Sequence, residues 1–450
     1  MTSSLQQIDQ RPVRRFVEPL VRFVRLESAG SIVLLLATVA AVVMANSVFA
    51  PLYLSFLHYR IGFSAGTSLF QWPAHLWIND GLMAIFFLSV GLEVKRELRV
   101  GELTSIRRAM LPVLAALGGV VVPATLYTML NHGGAGAQGW GVPIATDIAF
   151  SLAVLAVFGR RIPVGLKIFL VTLAIVDDIA GVIVIATAYT HGFRLSYLAL
   201  ALLVFLICLA MNRMGVNQLT MYLLAGIVMW WAMHQSGVHA TLAGVLLAMA
   251  IPVRIFIPPD ALLTRGRKRL DEFARSVEQQ GPLSHDARHQ LHMIRLGLEL
   301  SESPLDRLQG VLHPWVSFVI MPLFAFTNAG IPLGGIHSNA FLRDPIFYGI
   351  ALGLVLGKPV GITLFAWLAV RMRLADLPTG IQWKQLHAVA WLGGIGFTIS
   401  IFIAGLAFHP EEQYTMARLA VIIGSICAAG IGTLLVATTC RRPVGVVDEA

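Results

Sequence analysis

Along most of this chain the apolar residues do not alternate with polar ones but run on for helix-length stretches. Such runs recur from Gly30 to about Val436. Twelve can be marked: near 30–50, 76–98, 108–130, 140–159, 164–189, 195–212, 217–234, 237–253, 312–332, 346–370, 386–408 and 414–436. An α-helix needs about 20 apolar residues to cross the hydrocarbon core of a bilayer. The pattern predicts an all-α polytopic membrane protein with twelve transmembrane helices. It breaks once, at residues 254–308, which are polar and basic. Two stretches there read as helices, LLTRGRKRLDEFARSV and SHDARHQLHMIRLGLEL, and they divide the spans eight and four. The expected organisation is an amphipathic cytoplasmic segment (1–29), helices one to eight (30–253), a long basic cytoplasmic loop (254–308), helices nine to twelve (309–437) and a cytoplasmic tail (438–450). Between spans one and two, YLSFLHYRIGFSAGTSLF reads as a small hairpin.

Composition agrees with that pattern. The chain is 57% hydrophobic and 13% charged, against roughly 25% charged in soluble chains. Charge placement adds an orientation. Nearly all of the 33 Lys and Arg fall in segments that an inside N-terminus makes cytoplasmic. The outer segments and span ends hold only Arg60, Arg194, Arg343 and Arg418, and Lys358 alone lies in the middle of a span. This bias fits the positive-inside rule and puts both termini in the cytoplasm. The net charge of +9 then reflects topology and contact with anionic lipids, not nucleic-acid binding. Residues 1–27 have no apolar signal-peptide core; VRRFVEPLVRFVRLES reads as an interfacial amphipathic helix. Cys208, Cys427 and Cys440 imply no disulfide framework. His285, His289 and His292 share one helix face, but no Cys or fourth ligand supports a zinc site. The solvated-helix reading is favoured.

Two spans look interrupted. Span four, GWGVPIATDIAFSLAVLAVFG, carries Pro143 and then Thr146-Asp147. Span eleven, AVAWLGGIGFTISIFIAGLAF, carries Gly393, Gly394 and Gly396. Proline removes a backbone donor, and clustered glycines make unwinding cheap. Freed backbone groups at membrane depth survive only where they line a cavity or are buried in protein. For the glycines, close helix packing explains the sequence equally well.

A charge at the bilayer centre costs roughly 2.5–3.5 kcal/mol on insertion scales, so the intramembrane charges are few. Asp80 and Glu93 lie in span two, with Glu97 at its end; Asp147 is in span four, Asp177 and Asp178 in span five, and Lys358 in span ten. Helix neighbours diverge by about 100°, so Asp177 and Asp178 cannot both face one partner. Two carboxylates this close repel when both are ionised. Hard cations prefer oxygen ligands, which the pair, the Thr146 hydroxyl and freed span-four carbonyls would supply. A site that holds protons or one small cation, but not both, is an exchanger by construction. Plainer readings stand beside these. Asp147 would cap the helical half IAFSLAVLAVF, Asp80 and His239 would cap outer helix ends, Lys358 would snorkel, and Glu93 with Glu97 would be a solvated interfacial pair.

Several segments resemble the NhaA-type Na⁺/H⁺ antiporter family. They are INDGLMAIFFLSVGLEVKREL, VPIATDIAFSLAVLAVFG, LAIVDDIAG, SGVHATLAGV, HPWVSFVIMPLFAFTNAG, GKPVGI and GGIGFTISIFIAGLAF, in order along the membrane portion. The resemblance implies inverted repeats, with broken helices four and eleven crossing at mid-membrane. It implies a bacterial inner-membrane antiporter for Na⁺, Li⁺ and H⁺, neither an enzyme nor dependent on a cofactor. Asp177 and Asp178 would carry cation and protons, with Thr146 an accessory ligand. Asp147 would offset the positive half-helix ends. Lys358 would compensate the negative ones and pair with Asp177 when no cation is bound. Glu93, Glu97 and His239 would fall in a pH-response set, and a homodimer would join through the hairpin. Before HPW, where the family's best-studied member has an acidic residue and a histidine, this chain has Gln309 and Gly310.

Enzyme readings fail on motif. GGIGF lacks the aspartate of an intramembrane aspartyl protease, and DDIAG lacks the final aspartate of a prenyltransferase. The stronger alternative is a proton- or sodium-coupled symporter of a small organic solute. It requires a second, larger polar pocket with aromatic or Arg anchors.

Overall fold

The structure is a computed structural model and describes residues 29–65, 68–134, 136–190, 192, 194–255, 259–281, 284–335 and 344–440. The segment read as an interfacial helix and the tail from residue 441 lie outside the described residues. The chain divides into two compact units. The first comprises Met1–Phe86, Val100–His191 and Trp315–Ala450; the second comprises Phe87–Arg99 and Gly192–Pro314.

In chain order the helices are α1 Ala29–Ala45, α2 Ala50–His58, α3 Ala74–Arg99, α4 Ile106–Leu130, α5 Ile148–Val157, α6 Val164–Ala188, α7 Leu195–Arg213 and α8 Leu219–Ser236. They continue as α9 Leu242–Ala250, α10 Pro259–Gln280, α11 His285–Ser301, α12 Pro304–Ala329, α13 Pro345–Arg371, α14 Trp383–Gly393, α15 Phe397–Ala407 and α16 Glu411–Thr439. Between α2 and α3, strands β1 (Arg60–Ala65) and β2 (Ser68–Pro73) pair antiparallel in the register Arg60↔Pro73, at the position read as a hairpin.

Among the described residues, eight helices are long and apolar enough to cross a membrane, or up to ten if each of two bent pairs counts as one span. The protein is a multi-pass, all-α membrane protein. The difference from twelve has a physical reason. Trp230, Trp231, His234 and Gln235 make the second half of α8 less apolar, and α9 is only nine residues long. Both helices belong to the second unit. The basic loop forms α10 and α11, which pack on each other. Among the described residues no three His, Cys, Asp or Glu side chains are gathered closely enough to hold a metal, the three histidines of α11 included.

In the first unit, α4 packs along α13 through small residues. Gly118 and Gly361 approach so closely that a Cβ on either would strike the other's carbonyl oxygen. A Cβ at Gly357 would come within 2.9 Å of Pro123 Cα. Small residues allow such backbone approach in membrane helices. A π-turn at Gly353–Gly357 immediately precedes Lys358, and this packing seals the lysine inside the unit, where it is wholly buried.

Candidate functional site

Two interrupted segments of the first unit build the site. A 3₁₀ segment, Ala137–Ile144, gives way to extended backbone at Ala145 (φ −77°, ψ 150°) and Asp147 (φ −88°, ψ 99°) before α5 begins. The second segment breaks between α14 and α15, whose axes bend by 46°. Here φ is −75° at Gly394 and −97° at Gly396, which any residue can adopt. Close approach is the reason for glycine at 394: a Cβ there would lie 2.5 Å from the Leu354 carbonyl oxygen.

A break leaves backbone groups without helical partners, and inside protein each must find another. These two breaks satisfy each other. The Asp147 N–H donates to Ile395 O (2.6 Å). The hydroxyl of Ser151 donates to Leu392 O and that of Ser400 to Val142 O, both at 2.8 Å. Asp147 also bridges two helix starts. Its Oδ1 accepts from Phe150 N–H (3.2 Å), capping α5; its Oδ2 accepts from the N–H (3.1 Å) and hydroxyl (2.5 Å) of Thr398, in the first turn of α15. A carboxylate is favourable at a helix N-terminus, and this one serves two.

At the adjoining position the charges converge. Lys358 Nζ donates to Ile144 O (2.5 Å) and Thr146 Oγ1 (2.6 Å), and ion-pairs with Asp177 Oδ2 at 2.9 Å. These are three acceptors for three ammonium protons. Thr146 Oγ1 lies 2.6 Å from Asp177 Oδ2 and 2.8 Å from Gly393 O. Asp177 Oδ1 is buried with no hydrogen-bond partner among the described residues. Asp178 is also buried, one residue on and turned from its neighbour as helix geometry requires.

The structure therefore brings Thr146, Asp177 and Lys358 into direct contact and joins Asp147 to the same pair of breaks. Lys358 does not snorkel. Glu93, Glu97 and His239 belong to the second unit. Glu93 and Glu97 are partly exposed on α3. His239 Nδ1 accepts from Thr241 N–H (3.4 Å) and lies 2.8 Å from Thr241 Oγ1, at the start of α9. Between the two glutamates, Lys95 is buried and donates to the carbonyls of Ala248 (3.3 Å), Met249 (2.7 Å) and Ile251, at the C-terminal end of α9.

Sequence reasoning missed Ser151, Thr398 and Ser400. The available signal was a hydroxyl residue within a few positions of each break. It also placed Arg418 in an outer segment. That guanidinium is buried in α16, donating to Glu411, Thr415 and the Asn328 carbonyl and standing 4.4 Å over the Tyr414 ring. Nearby, a cavity of about 120 Å³ is lined by Asn79, Asp80, Asn328 and Tyr414 among apolar neighbours. It falls well below the roughly 300–1,000 Å³ of ordinary small-molecule pockets.

A sequence profile described as Na⁺/H⁺ antiporter 1 matches residues 21–436. The chain belongs to the Na⁺/H⁺ antiporter 1 family. Its relatives carry the same theme. It is 45% identical to the Na(+)/H(+) antiporter NhaA of Koribacter versatilis over 424 residues, covering 94% of this chain and 92% of that protein. It is 43% identical to the protein of that name from Oleidesulfovibrio alaskensis, covering 96% of each. With that from Haemophilus ducreyi it shares 42% identity, over 95% of this chain and 99% of the relative.

Proposed function

We propose that this family member is an electrogenic Na⁺(Li⁺)/H⁺ antiporter. It extrudes sodium from the cytoplasm by alternating access, with protons and cation competing at Asp177 and Asp178. The observation that carries the reading is the divided state of Asp177. One carboxylate oxygen is held by Lys358 and Thr146, while the other is buried without a partner. A buried carboxylate oxygen left unpaired is costly, and a proton or a small hard cation removes that cost.

In this mechanism Asp178 and Asp177 exchange protons for Na⁺. Thr146 adds a neutral oxygen. Asp147 offsets the positive ends of α5 and α15. Lys358 occupies Asp177 when the cation leaves. Glu93, Glu97 and His239 adjust the response to pH. The same reading takes the twelve apolar runs as twelve membrane helices in inverted repeats, with the two breaks crossing at mid-membrane. Both termini lie in the cytoplasm of a bacterium's inner membrane, anionic lipids contact the basic segments, and a homodimer joins through the β1–β2 hairpin. The organic-solute symport alternative needs a larger polar pocket than the cavity beside Tyr414.

The test is dye-reported proton movement in sealed vesicles on adding Na⁺, Li⁺ or K⁺. Proton release on adding Na⁺ and Li⁺ is expected. Silence with both ions, or proton movement that requires an added organic solute, refutes the proposal.

A further inference from the structure

At the start of the second broken segment, a chain of three hydrogen bonds crosses between helices. Trp391 Nε1–H donates to His387 Nε2 at 3.1 Å, with the rings at 87°. His387 Nδ1 lies 2.9 Å from Thr363 Oγ1, and the Thr363 hydroxyl donates to Pro359 O at 2.7 Å. An indole N–H can only donate, so Nε2 of His387 carries no proton. The neutral ring then bears its proton on Nδ1 and donates it to Thr363. The direction of the whole relay is fixed: Trp391 to His387 to Thr363 to the Pro359 carbonyl.

Its ends fall beside the exchange site. Pro359 follows Lys358. Trp391 stands two residues before Gly393, whose carbonyl lies 2.8 Å from Thr146 Oγ1. The helix α14 packs against α5, α6, α13 and α16. From these the imidazole meets only Thr363 of α13, and no charged side chain among the described residues acts on it. On its own helix Lys384 lies three residues earlier. The ring is half-buried, so protons can reach it.

We infer that His387 is a positioning residue for exchange: as a neutral imidazole it latches α14 to α13, and protonation releases the latch. The imidazolium carries N–H on both nitrogens, so its Nε2–H would face the Trp391 N–H with no acceptor between them. The latch holds above the pH at which the ring titrates and is lost below it. Released, α14 no longer holds the Gly393 carbonyl in register with Lys358, and exchange slows on the acid side.

This inference rests on the exchange reading of the site. Glutamine can accept from Trp391 and donate to Thr363 but does not titrate. His387→Gln should keep the alkaline exchange rate and move the acid limb of the rate–pH profile down by about half a pH unit or more. His387→Ala should lower the rate at every pH, with Gln as the rescue. A second measurement leaves His387 in place. Imidazolium quenches indole emission, so the unmodified protein in detergent should show an acid quenching step that Trp391→Phe lacks. Coincident rate–pH profiles of His387→Gln and the unmodified protein overturn the inference, and so does the absence of a Trp391-dependent step. Failure of the site reading would look different: exchange would survive Asp178→Asn while the quenching step stayed in place.

Discussion

Among the described residues two lysines are buried, and they are held in different ways. Lys358, in the first unit, meets a carboxylate, a hydroxyl and one backbone carbonyl. Lys95, in the second, meets three carbonyls at the end of α9 and no carboxylate. The carbonyls are fixed dipoles, the negative end of a helix, and cannot change their charge. Lys95 is therefore a cap whose partners do not titrate. The partner of Lys358 is a titratable carboxylate, and in the proposed mechanism that contact is exchanged for a proton or a cation. A buried charge serves structure or transport according to whether its counter-group titrates.

The strongest way to break this comparison is at the titrating partners. Asp178→Asn keeps volume but loses charge and proton, and should abolish Na⁺/H⁺ exchange in proteoliposomes while the protein still inserts and folds. Near-normal exchange by that variant would remove the carboxylate pair from the mechanism. Next is Lys358→Ala. Removing one partner of a buried ion pair leaves the other uncompensated, typically at about 3–5 kcal/mol. A markedly lower melting temperature in detergent is expected, and an unchanged melting curve would mean the pair contributes nothing.

A smaller effect sharpens the contrast. If two protons are exchanged for each Na⁺, one net charge moves per cycle, worth roughly 2.3 kcal/mol per 100 mV. A potassium diffusion potential should then speed or slow exchange according to its sign. Lys358→Gln identifies the second proton's carrier: continued voltage dependence assigns it to Asp177, electroneutral exchange to Lys358. Voltage-insensitive exchange by the unmodified protein excludes the two-proton cycle. Smallest is Lys95→Met, which loses a helix-end interaction of about 1–2 kcal/mol. Melting should fall modestly while voltage dependence stays the same; a change in voltage dependence would erase the distinction between the two lysines.

The legible and illegible parts of the site divide along the same physical line. Asp147, Asp177, Asp178 and Lys358 stand out because a charge in an apolar run is rare and costly. The helices of the 254–308 loop and the hairpin at 60–73 follow from local pattern. Ser151, Thr398 and Ser400 look ordinary in sequence, since a hydroxyl in a membrane helix usually bonds its own preceding turn. What they serve here is a carbonyl or carboxylate about 240 to 260 positions away, and only the pairing of the two breaks reveals it. Gly394 was ambiguous between unwinding and packing because the sequence does not show the Leu354 carbonyl that faces it. Lys95 looks in sequence like another basic residue at a cytoplasmic helix end; its carbonyl partners come from a helix about 150 residues later.

The Thr146 hydroxyl owns one hydrogen and faces two acceptors, Asp177 Oδ2 and the Gly393 carbonyl, while receiving a third bond from Lys358. That makes it a two-position rotor. With Asp177 protonated on Oδ2, the acid can donate to Thr146, whose own hydrogen then turns to the Gly393 carbonyl. With Asp177 ionised, the hydrogen swings to the carboxylate and Thr146 releases that carbonyl. In the proposed mechanism, loss of that proton frees the neutral Gly393 carbonyl beside a newly charged carboxylate whose Oδ1 has no hydrogen-bond partner among the described residues. In that mechanism, coordination is coupled to protonation through the turn of a single bond.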